Sequence, residues 1–282
     1  MKTPSVSVIL PNYNYAQFFS SRLDEVLSQS YPVSEIIILD DASTDASVSC
    51  INTKLAKIKD DYPAINFKTD FNSKNSGSVF SQWQKGIELA ESDYIWIAEL
   101  DDSADSEFLK TAIEPISKDS DVVLSYTNSR LIGSVSIKDR LRVAYDFMRT
   151  KRSINGYVTT GATEVEKSLA VFNSIPNVSA CIIKNLPNLS KILDGSKGFK
   201  LSGDWYLYLN LLTQGKIAYS PKKLNAHRLS KTSVTSQTDL KIRFREMQTI
   251  HTLASDLYDL SDSTKARIKK TEDSLRTSWG IA

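Results

Sequence analysis

The chain has 282 residues, 41% of them hydrophobic and 24% charged, with a formal net charge of +2. That length suits one large domain or two, and the balance is ordinary for a soluble globular protein, with no general charge argument for nucleic-acid binding. Cys50 and Cys181 are far apart and lack metal-ligand spacing, which argues against a disulfide scaffold and for a reducing compartment. No run approaches the roughly 18 apolar residues of a membrane span, and the N-terminal segment is too short for a signal peptide. The expected location is cytoplasmic.

The first half alternates strand and helix patterns. Ser5 to Leu10 predicts a first strand, broken by the loop Pro11-Asn-Tyr-Asn-Tyr15. A helix follows with Phe19, Leu23, Val26 and Leu27 on one face. Glu35 to Leu39 is a buried strand leading into Asp40-Asp-Ala-Ser-Thr-Asp45, and then a helix has Val48, Ile51, Leu55 and Ile58 in register. Ile65 to Thr69 is a third strand. Asn75-Ser-Gly77 begins a helix whose predicted apolar face is Val79, Trp83, Ile87 and Ala90. Tyr94 to Ala98 is a fourth strand, followed by a helix near 106–116 and a strand over 121–126. The alternation predicts an α/β, doubly wound and mainly parallel sheet with right-handed crossovers.

Two of these strands end in adjacent acids, Asp40-Asp41 and Asp101-Asp102, the second preceded by Glu99. Carboxyl ends of strands are where open α/β sheets place ligands. Neighbouring carboxylates repel unless one is protonated or a cation lies between them, and hard divalent ions prefer oxygen ligands and substrate phosphates. Taken alone, the Tyr94–Asp105 stretch serves equally as a solvated turn, since Ser103 and Asp105 are good helix caps. A second acid-ended strand favours the ligand site. No G-x-G-x-x-G follows the first strand and no G-x-x-x-x-G-K-S/T occurs, which removes most support for a dinucleotide or P-loop enzyme.

Val-Ser-Val-Ile-Leu-Pro-Asn-Tyr-Asn, Asp-Asp-Ala-Ser-Thr-Asp, Asn-Ser-Gly and Tyr-Ile-Trp-Ile-Ala-Glu-Leu-Asp-Asp, in that order, resemble family 2 glycosyltransferases. The resemblance is close over about the first 125 residues and looser to about residue 235. It implies a GT-A fold and a nucleotide-diphosphate sugar donor, UDP-, dTDP- or GDP-linked. It implies that Pro11, Tyr13 and Asp40 hold the nucleoside. The family's D-x-D element falls on Glu99-Leu-Asp101, with Glu in place of the commoner Asp. Asp101 and Asp102 are then the metal pair, for Mg²⁺ or Mn²⁺, with Asp101 also on the sugar-nucleotide; which of the two binds the metal is open. Successive side chains on an extended chain point opposite ways, so both can face a ligand only if the backbone turns there.

The second half is expected to choose the acceptor. Residues 127–177 read as an insertion over the active site, with basic runs at 138–142 and 149–152 that face solvent or a phosphate. Asn177 to Ile183 is predicted as a buried strand, and 185–193 as a short helix. Ser202-Gly-Asp-Trp-Tyr206 opens a helix, and its Gly-Asp-Trp is similar to the family element carrying the catalytic base, which implicates Asp204. Lys216 to Tyr219 is a strand. By the same resemblance His227 or Arg228 reaches the diphosphate, while a structural role suits His227 equally well. After Gln237 two helices are predicted, near 238–258 and 263–278. The second is basic and fits a solvated face, a partner, or peripheral association with the membrane carrying the acceptor.

The organisation expected is therefore a nucleotide-sugar-binding half at 1–126, an acceptor-binding and catalytic half at 127–235, and a helical extension at 236–282. The leading function is metal-assisted, inverting transfer of a sugar to a hydroxyl on a saccharide or lipid-linked saccharide, with no nucleic-acid partner. Bacterial surface polysaccharide is the product the resemblance implies. The alternatives are a non-catalytic sugar-nucleotide-binding or scaffold domain, and a nucleotidyltransferase. The last would usually show a Gly-rich basic loop after the first strand, which Pro11-Asn-Tyr-Asn14 is not.

Overall fold

A computed structural model describes residues 3–134, 136, 155–230 and 234–281. The chain begins β1 (Val6–Asn12), α1 (Ala16–Leu27), β2 (Glu35–Asp40), α2 (Ser47–Ile58), β3 (Asn66–Phe71), α3 (Val79–Leu89) and β4 (Tyr94–Ile97). It continues β5 (Ser103–Ala104), α4 (Phe108–Lys118), β6 (Val122–Gly133), β7 (Tyr157–Thr160), α5 (Gly161–Glu164) and β8 (Cys181–Lys184). The rest is α6 (Leu189–Ser196), α7 (Gly203–Leu211), β9 (Lys216–Leu229), α8 (Leu240–Leu257) and α9 (Asp262–Trp279).

The strands form one sheet in the order β3-β2-β1-β4-β8-β6-β9-β5, with β7 pairing on β9. β1 lies parallel between β2 and β4, and β3 parallel to β2. β8 enters antiparallel between β4 and β6, so β6 and its parallel neighbour β9 run the same way as β1 to β4. The expected mixed, mostly parallel α/β sheet with C-terminal helices is what the chain adopts.

Both faces of the sheet are covered, as the uninterrupted apolar strands require. Along β1, Val6, Val8 and Leu10 enter one core while Ile9 enters the other. β2 divides the same way, Ile36 and Ile38 against Ile37 and Leu39, as does β4, Tyr94 and Trp96 against Ile95 and Ile97. The period of two in side-chain direction makes this sorting automatic. α1 and α4 cover one face through Phe19, Leu23, Phe108 and Ala112. α3, α7 and the C-terminal helices cover the other through Trp83, Leu207, Phe244 and Ile250.

Several expectations are corrected. The first strand does not stop before Pro11: Pro11 pairs with Leu39 and Asn12 with Asp40. The α3 face is misassigned at its start, because Ser78 is the N-cap and the helical phase turns Phe80 inward and leaves Val79 40% exposed. Residues 127–177 are not one insertion. Thr127 to Gly133 continue β6, and 157–169 form β7, α5 and a π-helical turn against β9. The expected strand from Asn177 begins at Cys181, after a 3₁₀ turn over Val178–Ala180. β9 runs 14 residues through Ser220-Pro-Lys-Lys, which resembles a turn. Register passes from Thr127↔Ser220 to Asn128↔Lys223, so Pro221 sits in a bulge, where a missing N–H costs no ladder bond. The basic runs at 138–142 and 149–152 lie outside the described residues.

β4 leads straight into the acids at 99–102, and it is firmly anchored. Trp96 is wholly buried, packs on Phe108 with ring centroids 4.8 Å apart, and donates its indole N–H to the Ser179 carbonyl at 2.9 Å. Trp96→Ala should therefore cost about 3–5 kcal/mol, through lost contacts and a cavity, measured as a fall in the urea midpoint.

Candidate active site

β4 and Ala98 are buried, and the chain then turns, with the Asp102 N–H reaching the Glu99 carbonyl at 3.3 Å. The indole N–H of Trp83, on α3, donates to the Glu99 carboxylate at 2.7 Å, and the Glu99 backbone N–H donates to Ser179 Oγ at 3.1 Å. Burial and the Asp101 carboxylate push Glu99 up to about 8, against which the Trp83 bond works. Burial and the Asp102 charge push Asp101 up to about 6. The Tyr15 hydroxyl lies 3.5 Å from Asp101, and burial plus the Asp101 charge make it hold its proton more tightly than an ordinary tyrosine. These carboxylates lack the positive charge that would hold all of them ionised.

Asp102 is held from two sides. The Arg228 backbone N–H donates to Oδ1 at 2.9 Å, and the Asn177 amide donates to Oδ2. The Arg228 guanidinium donates through Nε to the Asp101 carbonyl at 2.7 Å and lies over the Phe18 ring, 5.0 Å from its centroid. Arg228 therefore ties β9 to the acid loop. His227 precedes it on the same strand, paired with Leu131, and strand alternation turns it to the other face. Behind Asp102, Asn177 also accepts from Asn225 at 2.9 Å and from Ser129 at 3.3 Å.

The second acid-ended strand is stitched to the first loop. Asn12 Nδ2 donates to Asp40 Oδ2 at 2.5 Å, and the Ser43 N–H donates to Oδ1 at 2.9 Å. Asn14 Oδ1 accepts from the Thr44 N–H at 2.8 Å. Two turn residues adopt left-handed backbone, Asn14 (φ 58°) and Ala42 (φ 60°), which for alanine is a strained choice. Asp40 is 1% exposed, Pro11 is buried and Tyr13 is 46% exposed. Asp41 accepts from Asn72, Ser76 and Gln82 and so fixes the start of α3. Pro11, Tyr13 and Asp40 thus gather at the carboxyl ends of β1 and β2.

Asp204 sits in the first turn of α7. Its Oδ1 accepts from the Trp205 N–H at 2.6 Å and its Oδ2 from the Asn173 amide at 3.0 Å. Burial pushes it up to about 6, in spite of both bonds. Asn173 and Asn177 are four residues apart, and one holds Asp204 while the other holds Asp102. Four residues span at most about 14 Å, so one short strap brings the two acids within reach of one ligand.

Among the described residues no three His, Cys, Asp or Glu side chains converge as a closed metal cage. The acid pair instead fits an open site for a hard cation, which takes one or two carboxylates and leaves the other positions to water and phosphate. Asp102, oriented by two donors, has the support that ligating carboxylates usually have. Trp83, Tyr15, Asn173, Asn177 and Ser179 were not singled out in the sequence. The polar residues of Asn173-Ser-Ile-Pro-Asn177, set beside the apolar Val171-Phe172, were the available hint.

The model for glycosyl transferase family 2 matches residues 7–167, more than half of the chain. An uncharacterized glycosyltransferase of Haemophilus influenzae is 34% identical over 102 residues, 36% of this chain and 38% of that protein. The putative teichuronic acid biosynthesis glycosyltransferase TuaG of Bacillus subtilis is 31% identical over 111 residues, 39% of this chain and 41% of that protein. The matched stretch is thus well under half the length of either relative. Among solved structures, S. aureus TarS 1–349 in complex with UDP-GlcNAc superposes with a TM-score of 0.68 at 16% identity, covering 98% of this chain and 73% of that one. The mannosyltransferase PcManGT of Pyrobaculum calidifontis, in complex with GDP-Man and Mn²⁺, gives 0.63 at 17%, covering 98% and 71%. At such identities the likeness speaks for the fold, which is GT-A. With that fold and the family model covering both acid-ended strands, the chain belongs to glycosyl transferase family 2.

Proposed function

We propose that this chain transfers a sugar from a nucleotide-diphosphate sugar to an acceptor hydroxyl with inversion, assisted by a divalent cation, with Asp204 as general base. The observation that carries the reading is the strap 173–177, which hydrogen-bonds Asp204 at one end and Asp102 at the other. The strap supports the reading because four residues span at most about 14 Å, which keeps the two carboxylates it holds near one another.

In this reading Tyr13 offers an exposed ring to the base, with Pro11 and Asp40 forming the wall behind it. Asp40 already uses one lone pair on each oxygen for Asn12 and Ser43, so it holds the loop shape and keeps one acceptor site on each oxygen for a further donor. Asp101 and Asp102 hold Mg²⁺ or Mn²⁺; when bound, the ion neutralises charge on the departing diphosphate. Arg228 adds a fixed positive charge beside that group, and His227 stays a secondary candidate. Asp204 takes the proton from the acceptor hydroxyl as its oxygen attacks the anomeric carbon. Desolvation makes Asp204 a stronger base than an exposed carboxylate. Relatives support a cell-surface polysaccharide as product, since one is named for teichuronic acid biosynthesis and another as a poly(ribitol-phosphate) β-glucosyltransferase. Among the described residues no helix is long and apolar enough to cross a membrane, and the site is expected to work at the cytoplasmic side, where nucleotide sugars are made.

Three outcomes are expected. A thermal-shift screen of UDP-, dTDP- and GDP-sugars should show one donor class raising the melting temperature, with the rise dependent on Mn²⁺ or Mg²⁺. Asp204→Asn should lower kcat by about 100-fold or more while donor affinity by calorimetry stays within twofold; near-normal transfer would sink the base assignment. The base works only when ionised, so kcat should rise with pH through about 6 and fall about tenfold per unit below it.

A further inference from the structure

The C-terminal helices read from the sequence as a helical extension without family motifs. Two side chains of α8 reach the segments around Asp204. On α8, Glu246 accepts three consecutive backbone N–H groups, from Lys200 at 2.6 Å and from Leu201 and Ser202 at 3.0 Å. Those residues lead directly into Gly203 and Asp204. Five residues further along α8, His251 is buried, with its two ring nitrogens 2.6 Å from a Glu272 oxygen on α9 and 3.1 Å from the Val171 carbonyl.

Val171 lies in the strap that leads to Asn173. The carbonyl of Leu169 accepts the Trp205 indole N–H at 2.8 Å, Val171 takes the His251 contact, and Asn173 donates to Asp204 at 3.0 Å. The Trp205 ring also meets His251 edge-on, with centroids 5.9 Å apart. On a helix of 3.6 residues per turn, Met247 and Ile250 lie between Glu246 and His251. Both are buried, so the two polar grips flank an apolar seam. One grip holds the chain entering Asp204 and the other holds the strap that hydrogen-bonds it.

We propose that Glu246 and His251 are positioning residues for transfer, a two-point clamp that fixes the Asp204 carboxylate from both sides. The proposal rests on Asp204 being the base. α9 is the outer brace. Glu272 seats His251, while Glu166, beside the strap, is bound by Ser261 and Thr264 and has its carbonyl capped by Arg267. Two of the basic side chains of α9 are thus committed to packing, since Arg276 also lies 5.4 Å from the Phe244 ring centroid.

The test uses the full chain and four variants: Glu246→Gln, Glu246→Asp (which keeps the charge and shortens the reach), His251→Gln and Asp204→Asn. Hydrogen–deuterium exchange needs no substrate. Protection over 200–206 should fall in the Glu246 variants and over 169–175 in His251→Gln, with cooperative melting retained. Turnover is followed as nucleotide release from UDP-GlcNAc, UDP-glucose and GDP-mannose with Mn²⁺. Here kcat should drop on the order of 10- to 100-fold at unchanged donor KM, because small displacements of a catalytic group are costly. The acid limb of kcat should also move to lower pH in Glu246→Gln, because that change removes a negative charge that raises Asp204. Unchanged protection in both segments overturns the clamp, and so does lost protection with wild-type kcat. Full activity in Asp204→Asn would instead break the base assignment, leaving the clamp to be judged by protection over 200–206.

Discussion

The structure depends on burying carboxylates at the ends of buried strands. Removing a carboxylate from water is expensive unless donors or cations replace the lost hydration. Each acid in the site region shows that replacement partly made. Asp40 has Asn12 and Ser43, Asp102 has Asn177 and the Arg228 N–H, and Glu99 has Trp83. Where the replacement is incomplete the proton affinity rises, as at Glu99 and Asp101. A site so built is left short of positive charge, and that shortage is what the proposed cation and the Arg228 guanidinium answer.

The two halves of the sheet contribute differently. β1 to β4 supply the acid-ended loops, because parallel strands place all their carboxyl ends on one edge. β6 and β9 supply the supports. β9 is long enough to bring Arg228 against the acid loop at one end, while its other end pairs with β7. The strap over 169–177 joins these supports to α7. It packs Leu169 and Val171 into the core and sends Asn173 and Asn177 to two different acids.

Much of this was legible in the chain. Period-two and continuous apolar patterns located β1, β2 and β4, and adjacent acids after Leu39 and Ala98 marked the ligand edge. The family resemblance carried the fold. Boundaries were read less well where tertiary pairing overrode local cues. Pro11 stayed in β1 because the ladder to β2 continued past it, and Ser220-Pro221 became a bulge because β6 and β9 paired on either side. On α3 the expected Trp83 and Ile87 are buried, but in the first turn after the cap at Ser78 it is Phe80 and not Val79 that packs inward.

What the sequence by itself determined was the order of strands and helices through β4, both acid pairs and the Gly-Asp-Trp turn. Local patterning and residue chemistry are properties of short segments, so they survive without knowledge of the fold. Only the tertiary structure decided which neutral side chains attend those acids: Trp83 for Glu99, Asn177 for Asp102, and Asn173 for Asp204. It also decided that α8 holds the chain entering Asp204 and the strap that hydrogen-bonds it. Those partners are 16, 75, 31 and 44–46 residues away in sequence, the last being Glu246 with Lys200 to Ser202. Hydrogen-bonding side chains of such ordinary types have no local signature; they become partners only when the chain folds and the polar groups they meet lose their water.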